Sequence, residues 1–160
     1  MIGTLGALTI LSLTLYVALL FSHMQSRRQK NLECFLLLIR FIESEISCYQ
    51  TPLDDIYRRF DGDALERCGF SAVLREKGLK EALVECKEAL CLSDEEYRLL
   101  LDFSGELGKS YREEQLRGCD YYRRMLESYC NEGRQELPAR LKLCRSLTLT
   151  GGLLLVVLLI

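Results

Sequence analysis

The 21 Lys and Arg and the 23 Asp and Glu of this 160-residue chain all lie between Arg27 and Arg145. The first 26 residues carry no charged side chain at neutral pH, and neither do the last 15. Hydrocarbon rejects isolated charges, so each end can enter a bilayer and the middle cannot. The pattern predicts a water-soluble middle tethered to a membrane at both ends.

Residues 2–21, IGTLGALTILSLTLYVALLF, give 20 consecutive uncharged positions. At ~1.5 Å rise per residue they span about 30 Å, the thickness of a bilayer core. Thr4, Thr9, Ser12 and Thr14 are tolerable because hydroxyls can bond back to helix carbonyls. Tyr16 suits an interfacial depth. A signal peptide would need a basic start and a small-residue cleavage site, but no Lys or Arg precedes the run and Leu20-Phe21-Ser22-His23 is a poor site. A retained transmembrane helix over 2–22 is the expectation.

The C-terminal run, SLTLTGGLLLVVLLI, leaves only 14 residues at 147–160, about 21 Å of helix. A buried terminal helix is the competing reading for so short a run. The run has no polar face to offer water, which favours lipid. The chain stops after it, so only a carboxylate need reach the far side, and Lys142 and Arg145 can snorkel. A second transmembrane helix over 147–160 is expected. Gly151-Gly152 lacks the GxxxG spacing of a helix-pairing motif. Arg27, Arg28 and Lys30 follow the first run, and Arg140, Lys142 and Arg145 precede the second. Both basic clusters flank the middle, which the positive-inside rule places in the cytoplasm.

The middle, 25–145, reads as one helical domain. Leu32, Phe35, Ile39, Ile42, Ile46 and Tyr49 recur at alternating steps of three and four, a heptad seam. No Gly or Pro interrupts 25–50, so the first membrane helix is expected to continue through it. Leu36, Leu37, Leu38 and Phe41 widen the stripe. Thr51-Pro52-Leu53-Asp54 reads as a helix start, with Thr51 as N-cap, Pro52 in the first turn and Asp54-Asp55 at the positive dipole end. That helix should end near Phe60-Asp61-Gly62. One or two short helices are expected over 62–78, punctuated by Gly62, Gly69 and Gly78.

Leu79, Ala82, Leu83, Cys86, Ala89 and Leu90 form a further amphipathic face. Ser93-Asp94-Glu95-Glu96 is a capping box opening a helix with the stripe Tyr97, Leu100, Leu101, Ser104, Leu107, stopped by Gly108. Ser110-Tyr111-Arg112-Glu113 repeats the pattern and begins the longest helix. Leu116, Cys119, Leu126, Cys130, Leu137, Leu141 and Cys144 mark its seam, with Arg123 and Gly133 between them and Tyr122, Met125 and Tyr129 beside them. Pro138 should kink or break it. No strand pattern of useful length appears. The fold class is an all-α cytoplasmic bundle, its long first and last helices antiparallel, flanked by two transmembrane helices.

Little in this domain points to bond chemistry. A net charge of −2 leaves no basic excess for nucleic acid. There is no P-loop, GxGxxG, HExxH or GxSxG. Glu43 and Glu45 are two apart and point to different helix faces. His23 has no acid or nucleophile in helical register. The eight cysteines, at 34, 48, 68, 86, 91, 119, 130 and 144, contain no CxxC and mostly occupy apolar helix positions. They read as reduced, structural thiols in a reducing compartment rather than a disulfide or zinc framework. No catalytic, cofactor-binding or metal-ligating residue is assigned, and an enzyme is not expected. The competing reading is a thiol-based or metal-responsive membrane sensor using Cys86 and Cys91.

The order Glu43-Ser44-Glu45-Ile46, Thr51-Pro52-Leu53, Leu92-Ser93 to Tyr97, Phe103-Ser104-Gly105-Glu106-Leu107-Gly108 and the glycine-led apolar end at 151–160 resembles the stage III sporulation protein AB family. The resemblance covers essentially the whole chain; the many cysteines are not part of it. It implies a part in endospore formation, in the mother-cell membrane around the forespore. It implies a secretion-like channel apparatus, with similarity to the inner-membrane platform proteins of type II secretion and type IV pili. The implied partners are a secretion-type ATPase, stage III sporulation protein AA, and the other stage III channel proteins. A homo-oligomer is left open. The resemblance brings no catalytic residues.

Overall fold

A computed structural model describes the backbone of residues 2–49 and 51–159, and the side chains of 12, 16–17, 19–49, 51–135 and 146. The chain is all-α. Among the described residues eight helices follow in order: α1 (Ile2–Cys48), α2 (Leu53–Arg59), α3 (Asp63–Glu66), α4 (Phe70–Lys77), α5 (Leu79–Glu85), α6 (Lys87–Leu90), α7 (Asp94–Glu106) and α8 (Arg112–Leu159). No strand occurs among the described residues. The chain divides into two compact units, one of residues 1–26 with 133–160, the other Arg27–Glu132.

The Arg27–Glu132 unit holds the core. Along α1, Leu32, Phe35, Leu38, Ile39, Ile42 and Ile46 are buried, with Asn31, Cys34 and Glu45 beside them. At ~100° per residue these positions cover roughly half the helix circumference, too wide for a two-helix seam. α1 is therefore clasped from more than one side. The seam ends at Ile46; Tyr49, which the heptad count includes, is exposed, one residue past the end of the helix. The same hydrophobic cluster takes in Ile56, Tyr57 and Phe60 of α2, Leu65 of α3, Phe70 and Leu74 of α4, and Leu79, Ala82 and Leu83 of α5. Leu90, Leu100, Phe103, Cys119, Tyr122, Leu126 and Cys130 complete the same cluster. The Phe35 and Phe70 rings meet edge to face, centroids 5.1 Å apart.

Of the four buried polar side chains among the described residues, three are satisfied and the Ser71 hydroxyl of α4 is without a hydrogen-bond partner. Asn31 Nδ2 donates to Leu90 O at 2.8 Å, meeting a carbonyl that the end of α6 leaves without a helical partner. Glu45 accepts two bonds from Arg59, at 2.7 and 3.1 Å, and one from Thr51 Oγ1 at 2.9 Å. Glu96 is fully buried at the start of α7 and accepts from Arg28 Nε, Arg28 Nη2 and the Ser93 amide.

Several local expectations shift. Thr51 does not cap α2: Pro52 holds the cap position, and the Thr51 hydroxyl goes to Glu45 instead. The face at 79–90 is two helices, because Cys86 leaves helical geometry between α5 and α6. The capping box at Ser93 and Glu96 is present with both bonds. α8 begins at Arg112, which puts Tyr111 rather than Ser110 at its cap. It also runs unbroken through Pro138. A single proline removes one helical bond, and helix continues where its neighbours still bond.

α1 and α8 cross the unit antiparallel. Gln29 Nε2 donates to Cys130 O at 3.1 Å, Arg40 pairs with Glu127 at 2.8 Å, and Arg123 Nε with Glu43 at 3.2 Å. Arg112 donates to Ser47 O, so rising numbers on one helix meet falling numbers on the other. Arg123 also binds Asp120 and Glu127, making it the hub of this seam. Glu43 and Glu45 do point apart, one to α8 and the other to α2.

In the unit of residues 1–26 and 133–160, the described side chains Tyr16, Val17, Leu19, Leu20, Phe21 and Met24 are exposed. Among the described residues, no helix is long and apolar enough to cross a membrane. Most of 2–22 and all of 147–160 lie outside the described side chains.

Candidate interaction surface

α7 ends abruptly. Leu107 leaves the helix in extended geometry while its amide still bonds Phe103 O at 3.2 Å. Gly108 follows at φ +79°, where an L side chain is strained, and a Cβ there would meet Leu53 Cδ1 at 3.2 Å. The chain then reverses and α8 starts.

The reversal leaves a groove of about 390 Å³ between the end of α7 and the first three turns of α8. Its floor is Phe103, Cys119 and Tyr122, all buried. The Phe103 and Tyr122 rings lie 5.3 Å apart at 54°. Gly105 and Gly118 form bare walls, and Glu106, Glu114, Lys109, Ser110 and Gln115 make the rim. The Tyr122 hydroxyl is pushed up to about 12 by burial and by its hydrogen bond to the Glu106 carboxylate. Burial, and next the charge of Glu43, push the Cys119 thiol up to about 11. A thiol held that high is a poor nucleophile at neutral pH. The groove offers shape and a rim of two carboxylates and one lysine.

A second, shallower groove lies over Cys34, lined by Lys30, Glu33, Leu37, Arg67 and the Asp61–Asp63 turn. Asp61, Asp63 and Glu66 there bring carboxylates within 4.8 Å of one another, all exposed. Glu66 pairs with Arg75 at 3.4 Å, so part of that charge is already balanced.

Cys68 lies near enough to Cys34 and to Cys86 to help raise both thiol pKa values, after burial. All seven described cysteines are free. Among the described residues, the Asp61 cluster is the only group of three or more metal-type ligands, and it contains no thiol. Cys86 is buried and its pKa is raised, chiefly by burial. Cys91 sits at φ +55° with its thiol on the Glu88 and Ala89 carbonyls.

The family model for stage III sporulation protein AB matches residues 3–160. The chain belongs to the stage III sporulation protein AB family. It thereby has a role in the third stage of spore formation. No curated protein and no solved structure matches it.

The residues that resemble the stage III sporulation protein AB pattern turn out to be the joints of the helical unit. Glu45 holds Thr51, and Leu53 of the same Thr-Pro-Leu segment packs against Gly108 of the Phe103–Gly108 segment. Ser93 and Glu96 form the cap that Arg28 reaches. The Phe103–Gly108 segment does two things: it reverses the chain and it lines the groove. Gly118 of the opposite wall lies outside every motif, and only the fold pairs it with Gly105.

Proposed function

We propose that this protein is a membrane-anchored assembly component of a secretion-like channel apparatus in endospore formation. Its ends, 2–22 and 147–160, are transmembrane helices in the mother-cell membrane around the forespore. The Arg27–Glu132 unit faces the cytoplasm and engages the secretion-type ATPase, stage III sporulation protein AA, and other stage III channel proteins. It works by holding partners in register, without making or breaking bonds.

The observation that carries the anchor is the first arm of the 1–26 and 133–160 unit. Its described apolar side chains point outward: Tyr16, Val17 and Leu19 are each more than half exposed. A contiguous apolar surface of that kind marks lipid or another protein as its neighbour. The uncharged run continues on both sides of it, which favours lipid.

Affinity isolation of the full chain from membranes of sporulating cells, in mild detergent, tests the partners. A secretion-type ATPase or channel protein should co-purify in near-stoichiometric amount. Recovery of neither would remove the coupling role. Orientation has its own reporter in Cys48, which is exposed at the end of α1. An impermeant maleimide should label Cys48 only after permeabilisation, while buried Cys119 stays unlabelled in both conditions. Labelling of Cys48 in intact mother cells would put the domain on the other side of the membrane.

A further inference from the structure

Two of the thiols meet at the same pair of carbonyls. Cys68 follows α3 and is partly exposed, and its Sγ lies 3.2 Å from Leu65 O and 3.9 Å from Ala64 O. Cys34 reaches those carbonyls from α1, and their hydrogen bonds partly offset the burial that raises its thiol. The Cys34 sulfur is also fixed against the start of α3. A Cβ at Gly62 would stand 2.7 Å from it and 2.8 Å from the Phe60 ring. The backbone does not require glycine there, since φ −144° is extended and open to any residue. Gly62 leaves room for the sulfur.

The pair is built unevenly. Cys34 is 5% exposed and lies under the shallow groove that Lys30, Leu37 and Arg67 line. Cys68 is the thiol that solvent reaches more readily. Cys86 also lies near Cys68, but it is Cys34 that shares the Leu65 and Ala64 carbonyls with it. An accessible thiol beside a resolving one is the arrangement that reversible thiol oxidation uses. Inside cells such disulfides are transient, and they report redox state rather than hold a fold together. A bond here would tie α1 to the connection between α3 and α4, closing the chain around α2.

We infer that Cys34 and Cys68 are a thiol-oxidation site that closes into a reversible disulfide clamp, with Cys68 as the entry thiol and Cys34 as the resolving one. The oxidant is a low-molecular-weight disulfide, RSSR. The Cys68 thiolate attacks one of its sulfurs, a Cys68–S–S–R bond forms, and one RS⁻ leaves. The Cys34 thiolate then attacks Cys68 Sγ, and the second RS⁻ leaves. The two leaving thiolates take up the two protons that the cysteines gave up. Two cysteine thiols are oxidised and one external S–S bond is reduced. Excess thiol reverses both steps. The clamp does not rest on the assembly reading, and either can fail without the other.

The test is oxidation of the purified full chain, in detergent, with oxidised glutathione. The reaction is quenched with N-ethylmaleimide in denaturant, and the chain is digested with trypsin without reductant. Residues 31–40 and 68–75 carry the two cysteines on separate tryptic peptides. They should appear as one linked species, two hydrogens lighter than their sum, from a chain that still runs as a monomer. Dithiothreitol should return both peptides. Cys34→Ser should abolish the link and leave glutathione on Cys68, the trapped first step. Cys86→Ser should leave the link in place. The oxidised chain should melt several degrees higher, because the link restricts the unfolded chain. Cys68 joined to Cys86, a link between two chains, or a link that lowers the melting temperature would each overturn the clamp. So would glutathione held on Cys68 of the unaltered chain with Cys34 still a free thiol, or no reaction at Cys68 at all.

Discussion

Replacing Arg28 with alanine should destabilise the helical unit by about 3–5 kcal/mol, the usual cost of stranding one member of a buried ion pair. Glu96 is the stranded group. Its side chain is fully buried, and Arg28 supplies all its partners except the Ser93 amide. The Arg28 side chain is about one-third exposed, so the loss falls on the carboxylate rather than on the cation. Glu96 is also the N3 residue of the α7 capping box, so a disturbed carboxylate frays the helix that ends in the groove. In thermal melts of the full chain in detergent, a fall on the order of 10 °C is expected. The double variant Arg28→Met/Glu96→Gln should recover most of it. Glutamine can still close the capping box, and no charge is left buried. Arg40→Ala is the control. Its pair with Glu127 is solvent-exposed, and its loss should cost no more than about 1 kcal/mol. An Arg28→Ala melt matching that control would show that the Arg28–Glu96 pair contributes little.

Neither Arg28 nor Glu96 announces this pairing in sequence. Arg28 reads as a basic residue flanking a membrane segment, and Glu96 as a helix-start charge. The Glu96 reading is right as far as it goes, but its partner is 68 residues away. Asn31 and Leu90 are 59 apart, and nothing local predicts that an asparagine will find a carbonyl. Features that depend on near neighbours were legible: the stripe from Leu32 to Ile46, the Ser93–Glu96 box and the stop at Gly108. Thr51 shows the limit of local rules. It has the chemistry of a cap, but the buried Glu45 carboxylate competes for its hydroxyl and wins. The groove was half legible. Its motif side, Phe103 to Gly108, stood out, while Gly118 looked like one small residue in a long helix. Its meaning depends on the reversal that brings α8 back beside α7.

Phe35→Ala should cost about 3–5 kcal/mol, comparable to the loss at Arg28 but for an unrelated reason. The ring is completely buried in the hydrophobic cluster, and alanine would leave a cavity that rigid surroundings only partly close. The edge-to-face contact with Phe70 adds a term specific to rings. A double-mutant cycle of Phe35→Leu and Phe70→Leu should return a coupling of about 0.5–1.5 kcal/mol. Leu37→Ala, two residues away and more than half exposed, should change stability by no more than about 0.5 kcal/mol. The shape of the transition matters as much as its midpoint. Phe35 and the groove residues Phe103, Cys119 and Tyr122 belong to one continuous cluster. Chemical denaturation should therefore lose the α4 and α5 helices and the groove in a single step, followed by alkylation of Cys86 and Cys119 together. If Phe35→Ala exposes Cys86 at lower denaturant than Cys119, the core is two layers. The groove would then rest on α1, α7 and α8 alone, held by the Arg123 hub and the Arg28–Glu96 pair.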